Sequence, residues 1–359
     1  MRTDDFDYSL PSELIAQAPV EPRDHSRLLV VERSSGTISH CRFYDLRDLF
    51  RPGDLLVANE SRVMPARLIG YKIPTRGRVE VLLLRPIVEP GGGGEEPVLW
   101  EALVSPGRRL PDGALIGFGT PESGTYMEAT AESRLELGAR LLRFSTAPRP
   151  LLESLGQVPL PPYIHETLAD PDRYQTVYAR TDGSAAAPTA GLHFTEDLIE
   201  GLQVKGIGFA TVTLHVGLDT FRPVHEENIA DHPMHKEWYM LPEATALALT
   251  ETRKRGGRVV AVGTTSVRVL ETAARTQGLS LDQRDAPVDS SEGWTDLFIS
   301  PGYRFGLVDA MITNFHLPRT TLLMLVSAFA GRDLVLQAYE TAIREKYRFY
   351  SFGDAMLIL

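Results

Sequence analysis

The sequence predicts an α/β body interrupted by a small all-β insert, and three observations carry that prediction. Strand-like runs alternate with helical patterns over most of the chain, the signature of an α/β fold. Between about residue 65 and about residue 150 this alternation gives way to short apolar-alternating runs, separated by Pro-Gly-rich breaks and with little helical periodicity. The chain has 359 residues, enough for about two domains, and its 43% hydrophobic and 23% charged residues are those of a folded globular protein. The expected division is a discontinuous major domain of residues 1–65 and 150–359 and a minor domain of residues 66–149.

Each element has its own local reason. In the insert, Val79 to Leu84, Leu99 to Val104, Ala114 to Phe118, Thr125 to Thr130 and Leu141 to Phe144 alternate apolar and polar residues and read as strands. The breaks between them include Ser105-Pro106-Gly107 and the glycine run Pro90 to Gly94, which reads as a hairpin tip. In the body, Ile207 to Val216, Arg258 to Gly263, Asp296 to Ser300 and Met311 to Phe315 read as strands. Helical spacing covers Thr195 to Lys205, Pro242 to Arg255, Ser266 to Thr276 and Asp333 to Tyr347. Thr195 is placed to cap its helix, although no acid stands at the ideal third position for a full capping box.

Charge and cysteine usage narrow the classes. The net charge is −10, from 37 Lys+Arg against 47 Asp+Glu, and Cys41 has no intrachain partner, which fits a reducing compartment. Acids occupy the N-terminal residues where a signal peptide needs an apolar run, and the longest apolar span, Thr320 to Ala330, is pinched between Arg319 and Arg332. Neither export nor membrane insertion is expected. An acidic chain is not a general nucleic-acid binder, yet net charge hides local fields. Arg62, Arg67, Lys72, Arg76, Arg78 and Arg85 face one acid, Glu80, over a short stretch, which is a local +5. On its own such a stretch reads first as a solvated strand face.

The motifs of several chemistries are missing: no G-x-G-x-x-G follows a strand, and there is no P-loop, C-x-x-C or H-E-x-x-H. His225, His232 and His235 cluster, but without cysteine partners a polar loop explains them better than a metal site. The turn from Val262 to Arg268 follows a buried strand with Gly263, Thr264, Thr265 and Ser266. Its hydroxyls suit a helix cap, and its free backbone N–H groups suit a carboxylate or phosphate, with Arg268 one turn in. His215, His316 and His193 each end a strand-like run or loop among Gly, Pro and Asn. One such histidine is ordinarily a hydrogen-bonded core residue; three together raise the case for acid/base work. The small residues from Gly183 to Gly191 let a ligand ring approach the backbone, or pack a tight crossover.

These stretches coincide with a larger pattern. Asp5-Phe6-Asp7-Tyr8, Leu14-Ile15-Ala16-Gln17, Ser26-Arg27-Leu28-Leu29, Gly53 to Val57, Pro65-Ala66-Arg67-Leu68 and Pro159 to Ile164 run in order along the chain. Arg173 to Tyr178, Gly183 to Thr195, Leu214-His215-Val216-Gly217, Ala261 to Arg268, Asn314 to Pro318, Tyr347-Arg348-Phe349 and Gly353 to Met356 complete it. On these residues the sequence resembles, end to end, the S-adenosylmethionine:tRNA ribosyltransferase-isomerase family of bacterial queuosine biosynthesis. Two positions depart from the family pattern: Asp219 stands where glycine is usual before Thr220-Phe221, and Ala185 where valine is usual.

The resemblance implies a barrel-like α/β major domain with an inserted small β-barrel, and an enzyme, which is expected to be cytoplasmic and monomeric. That enzyme moves and isomerises the ribosyl part of S-adenosyl-L-methionine onto 7-aminomethyl-7-deazaguanine at the tRNA wobble position, giving epoxyqueuosine-tRNA and releasing adenine and methionine. S-adenosyl-L-methionine is a cosubstrate, and no metal is implied. The chemistry needs a base for the carbon beside the sulfonium and an acid for the departing purine. The expected assignments are His193 or His316 as base, with His215 or Asp219 near the sugar or purine. Ser184, Pro188, Thr189, Gly191, Gly263, Thr264, Thr265, Ser266, Arg268 and Asn314 are expected to hold the cosubstrate, with Arg268 and the Gly263 turn on its carboxylate. Arg62, Arg67, Arg76 and Arg78 are expected to contact tRNA phosphates. The competing readings are an S-adenosylmethionine-dependent RNA methyltransferase and a non-catalytic tRNA-binding protein.

Overall fold

A computed structural model of the chain describes residues 1–87, 96–107, 110–120, 125–135, 138–166, 168, 170–217, 224, 226–234 and 236–359. The expected hairpin tip at Pro90 to Gly94 lies outside them. The chain divides into two compact units, one of Met1–Arg62, Pro161–Thr181 and Ala187–Leu359, the other of Val63–Leu160 and Asp182–Ala186.

The first unit is built on a nine-stranded mixed sheet. Its order is Ser291–Thr295, Glu237–Leu241, Gly208–Leu214, Leu55–Asn59, Val259–Val262, Ala310–Asn314, Ala355–Ile358, Arg27–Glu32 and Thr37–Arg42. The four strands from Gly208–Leu214 to Ala310–Asn314 are mutually parallel. Leu55–Asn59 and Val259–Val262 are buried along their whole length, because parallel strands covered on both faces need apolar residues at every position. Successive residues still serve opposite faces. Leu55, Val57, Val259 and Ala261 join one core with Leu249, Val267, Leu270, Met324 and Ala338 of four helices, Glu243–Lys254, Gly263–Gln277, Thr321–Ala330 and Arg332–Arg344. Leu56, Ala58, Val260 and Val262 join the other core with Leu198 and Leu202 of helix Glu196–Val204. The Thr195 hydroxyl caps that helix, accepting from the Leu198 N–H at 3.1 Å.

Two expectations are corrected. Asp296 to Ser300 is not a strand; the edge strand is Ser291–Thr295, paired with Glu237–Leu241. Leu297 and Ile299 alternate because both are buried in the core, not because their backbone pairs. The helix expected from Ser266 begins at Gly263, with Val262 at its cap and no side chain capping it. The Ser266 hydroxyl instead donates back to the Val262 carbonyl at 2.8 Å. The apolar span near residues 320–330 is helix Thr321–Ala330, whose Leu323, Met324, Leu325, Val326 and Phe329 fill the core. Among the described residues no single helix is long and apolar enough to cross a membrane.

The second unit is a closed six-stranded antiparallel barrel. Arg67–Ile73, Arg78–Ile87, Leu99–Ser105, Ala139–Phe144, Thr125–Arg134 and Leu115–Thr120 pair in that order, and Leu115–Thr120 returns to Arg67–Ile73. Closure removes free sheet edges. The closing seam requires glycine: a Cβ on Gly70 would lie 2.8 Å from the Gly117 carbonyl oxygen and the Phe118 ring. Val79, Val81, Leu83, Trp100, Ile116, Phe118, Met127 and Leu142 fill the interior. The α/β body and the small all-β insert read from the sequence are therefore both present, the insert as the β-barrel that the resemblance implies.

Candidate active site

In open α/β sheets ligands bind beyond the carboxyl ends of the parallel strands. In the first unit a pocket opens there. It is lined by Val216 after Gly208–Leu214, by Gly263, Thr264 and Thr265 after Val259–Val262, and by Thr313 to Leu317 at the end of Ala310–Asn314. Ala187 to Ala190, Leu322, Tyr163, Tyr350 and Ser351 complete the wall.

The Val262 to Thr265 turn works because of one glycine. Gly263 sits at φ +85°, and an added Cβ would press on Ala190 at 3.4 Å. The first backbone N–H groups of the helix that starts there have no intrahelical acceptor. The Thr265 hydroxyl is buried and makes no hydrogen bond. A helix N-terminus with its positive end of the dipole and a spare hydroxyl suits a carboxylate.

Helix Gly263–Gln277 also carries two buried charges that hold the neighbouring loops. Arg268 donates from Nη1 to Glu237 Oε2 and from Nε to the Leu297 carbonyl at 3.3 Å; Glu237 Oε1 accepts the Gly217 N–H at 2.7 Å. Burial pulls the Arg268 pKa down to about 10. Glu271 accepts the N–H groups of Gly306, Leu307 and Val308 at 2.7, 3.0 and 3.0 Å, fixing the approach to Ala310–Asn314; burial raises its pKa.

The three expected histidines differ in setting. His316 lines the pocket, its Nε2 2.7 Å from the Thr313 hydroxyl. Its main chain is pinned by two tyrosines, since its N–H donates to the Tyr339 hydroxyl and its carbonyl accepts from Tyr8. His193 lies behind the wall. Nδ1 is 2.8 Å from the Ser26 hydroxyl, Nε2 is 3.2 Å from Asn314 Nδ2, and the ring stacks on Phe43. Burial pulls both pKa values down to about 3, with the charges of Arg348 and Arg23 adding to the effect at His193. Both rings are therefore neutral at physiological pH. His215 is half-buried and stacks on Trp238 with ring centroids 5.1 Å apart.

Of the other expected cosubstrate residues, Pro188, Thr189 and Asn314 line the pocket, whereas Gly191, Ser266 and Arg268 do not. Gly191 packs against Tyr178, whose hydroxyl would lie 2.0 Å from an added Cβ. Ser184, in the other unit, donates to the Ala186 carbonyl at 2.7 Å. Asp219, His225 and His235 lie outside the described residues; His232 is held by Glu226 at 2.8 Å. Among the described residues no group of three metal-ligating side chains occurs.

Sequence reasoning did not assign Tyr163, Val216, Thr313, Tyr350 and Ser351. Tyr163 and Val216 lie inside motifs that were read for the family, and Tyr350 and Ser351 fall between two such motifs. The Tyr163 hydroxyl is 2.7 Å from that of Ser351, and its ring packs on Tyr350 at 4.9 Å. Of the expected phosphate contacts, Arg62 is exposed on strand Ser61–Val63. Arg76 and Arg78 are exposed on the barrel, Arg76 with its guanidinium 4.5 Å over the Tyr71 ring. Arg67 pairs with Glu80 at 3.2 Å, and Arg85 pairs with Glu101 at 2.6 Å, so acids match part of the local +5.

Together these features define an α/β protein with a pocket at its strand ends and a closed barrel in the same chain. The comparisons with known proteins make this specific. The family described as queuosine biosynthesis protein matches residues 3–358, and the chain belongs to that family. It is 55% identical to the S-adenosylmethionine:tRNA ribosyltransferase-isomerase of Moorella thermoacetica and 54% identical to that of Symbiobacterium thermophilum, each over 100% of both chains. The crystal structure of S-adenosylmethionine tRNA ribosyltransferase from Thermotoga maritima is similar at 41% identity and a TM-score of 0.54, covering 99% of this chain and 100% of that one. The resemblance read from the motifs is borne out.

Proposed function

We propose that the chain is an S-adenosylmethionine:tRNA ribosyltransferase-isomerase of queuosine biosynthesis. It transfers and isomerises the ribosyl part of S-adenosylmethionine onto 7-aminomethyl-7-deazaguanine at the tRNA wobble position, forming epoxyqueuosine-tRNA with release of adenine and methionine. Full-length relatives of that name support the activity. The observation that carries the assignment of residues is the pocket itself, where a helix N-terminus, a wall of small residues and one neutral histidine meet. The Gly263 to Thr265 N–H groups and the Thr265 hydroxyl take the methionine carboxylate. Ala187, Pro188 and Ala190 leave room for the flat purine, and the Tyr163 and Tyr350 rings suit the sulfonium cation. Arg268 acts through Glu237 by fixing Gly217. His215, next to Val216, and Asp219 are assigned to the sugar or purine end.

His316 is assigned as the base that takes the proton from the carbon beside the sulfonium. It is unprotonated at neutral pH, as a proton acceptor must be. Its low basicity makes acidification of that carbon by the sulfonium essential to the step. Arg62, Arg76 and Arg78 hold the tRNA backbone while the exposed wobble base enters the pocket. The protein works in the cytoplasm as a monomer, without a metal.

Incubation with precursor-bearing tRNA and S-adenosylmethionine tests the function: adenine and methionine are expected, and S-adenosylhomocysteine in their place would identify a methyltransferase. In the same assay His316→Ala is expected to lower kcat by about 10²–10⁴ while cosubstrate binding persists. Near-normal turnover would remove His316 from the reaction.

A further inference from the structure

Asn314 and Thr189 line the pocket, and behind them His193 and Ser26 continue the hydrogen-bond chain into the protein. The directions of these bonds follow from one fixed point. Asn314 Nδ2 lies 3.1 Å from the Tyr350 carbonyl, which accepts only, so that atom is the amide nitrogen and Oδ1 faces the Thr189 hydroxyl at 3.0 Å. The second hydrogen of Nδ2 points to His193 Nε2, which must then be bare. The imidazole proton sits on Nδ1 and goes to the Ser26 hydroxyl. At the other end Asn314 Oδ1 takes the Thr189 proton, so any further partner of the Thr189 hydroxyl must be a donor. His193 thus has both ring nitrogens engaged, and Ser26, His193 and Asn314 are each almost fully buried.

We propose that His193 is a positioning residue that, as the neutral Nδ1–H imidazole, accepts from Asn314 and, together with the Tyr350 carbonyl that orients the amide, holds Asn314 in place so that this wall accepts hydrogen bonds from a hydroxyl or N–H group of the cosubstrate. It does not exchange protons with the substrate. The role rests on the function proposed above, but its first test does not. Nitrogen NMR of the histidine-labelled wild-type protein at pH 7, with His193→Gln used for assignment, is expected to show Nδ1 protonated and Nε2 bare. The opposite tautomer, or an imidazolium, overturns the proposal whatever the enzyme's activity.

Ser26→Ala removes the acceptor of the Nδ1 proton and leaves the ring in place. It is expected to raise KM for S-adenosylmethionine about tenfold, the loss of one well-placed hydrogen bond, with kcat and its pH profile little changed. A kcat loss of about a hundredfold or more at unchanged KM, or a displaced limb of the pH profile, would show His193 moving protons and overturn it. If the wild type released no adenine or methionine, the proposed function would fail while the tautomer still reported on the wall.

Discussion

His193 and His316 bear directly on how the protein responds to acid. An imidazole in the unfolded chain takes a proton from about pH 6.5 downward, whereas in the folded protein both stay neutral until about pH 3. Between these values the unfolded chain binds more protons, so stability present at neutral pH is lost as the pH falls. Each ring is expected to remove ~1.4 kcal/mol of folding free energy per pH unit once the pH is below its unfolded value. Denaturant midpoints measured from pH 6.5 to 5, above the range where exposed carboxylates titrate, check this. A flat profile there would mean that both rings are charged in the folded state, and half the expected slope that one of them is. Both histidines were visible in the sequence as residues ending a strand or loop. Their different settings were not, because the partners that distinguish them, Ser26, Thr313 and Tyr339, stand far from them in sequence or look unremarkable beside them.

Helix Gly263–Gln277 shows the same limit for an element. Its strand, glycine turn and hydroxyls were legible because local chemistry dictates them, and Thr264 and Thr265 do line the pocket. Arg268 was expected on the cosubstrate carboxylate, but its contact with Glu237 spans 31 positions and has no sequence signature. Removing one member of a buried ion pair strands the other charge. Arg268→Ala is therefore expected to cost about 3–5 kcal/mol of stability, read from a denaturation curve. A cost below about 1 kcal/mol would mean that the pair does not carry the Gly217 loop. Three of the strands that were not read, Arg27–Glu32, Leu55–Asn59 and Ala355–Ile358, were hidden for a related reason. They are short and apolar on both faces, so they lack the alternation that reveals a half-buried strand.

Over the whole molecule, the change from α/β alternation to closely spaced strands was legible because a barrel interior imposes period-two burial on every strand. The electrostatics were partly legible: cations could be counted, but not the acids that Arg67 and Arg85 would meet. Arg76 and Arg78 stay exposed on the barrel, so Arg76→Glu with Arg78→Glu is expected to weaken tRNA binding and flatten its salt dependence by about two charges' worth. Unchanged affinity at low and moderate salt would place the RNA elsewhere. The nine-stranded sheet has a further property. Ala355–Ile358 lies between Ala310–Asn314 and Arg27–Glu32, so the hairpin of Arg27–Glu32 and Thr37–Arg42 joins the rest of this sheet only through the strand that comes last in chain order among those of the sheet. Until that insertion the facing edges of Ala310–Asn314 and Arg27–Glu32 are unpaired and open to pairing with other copies of the chain, so the sheet closes only once its keystone has emerged.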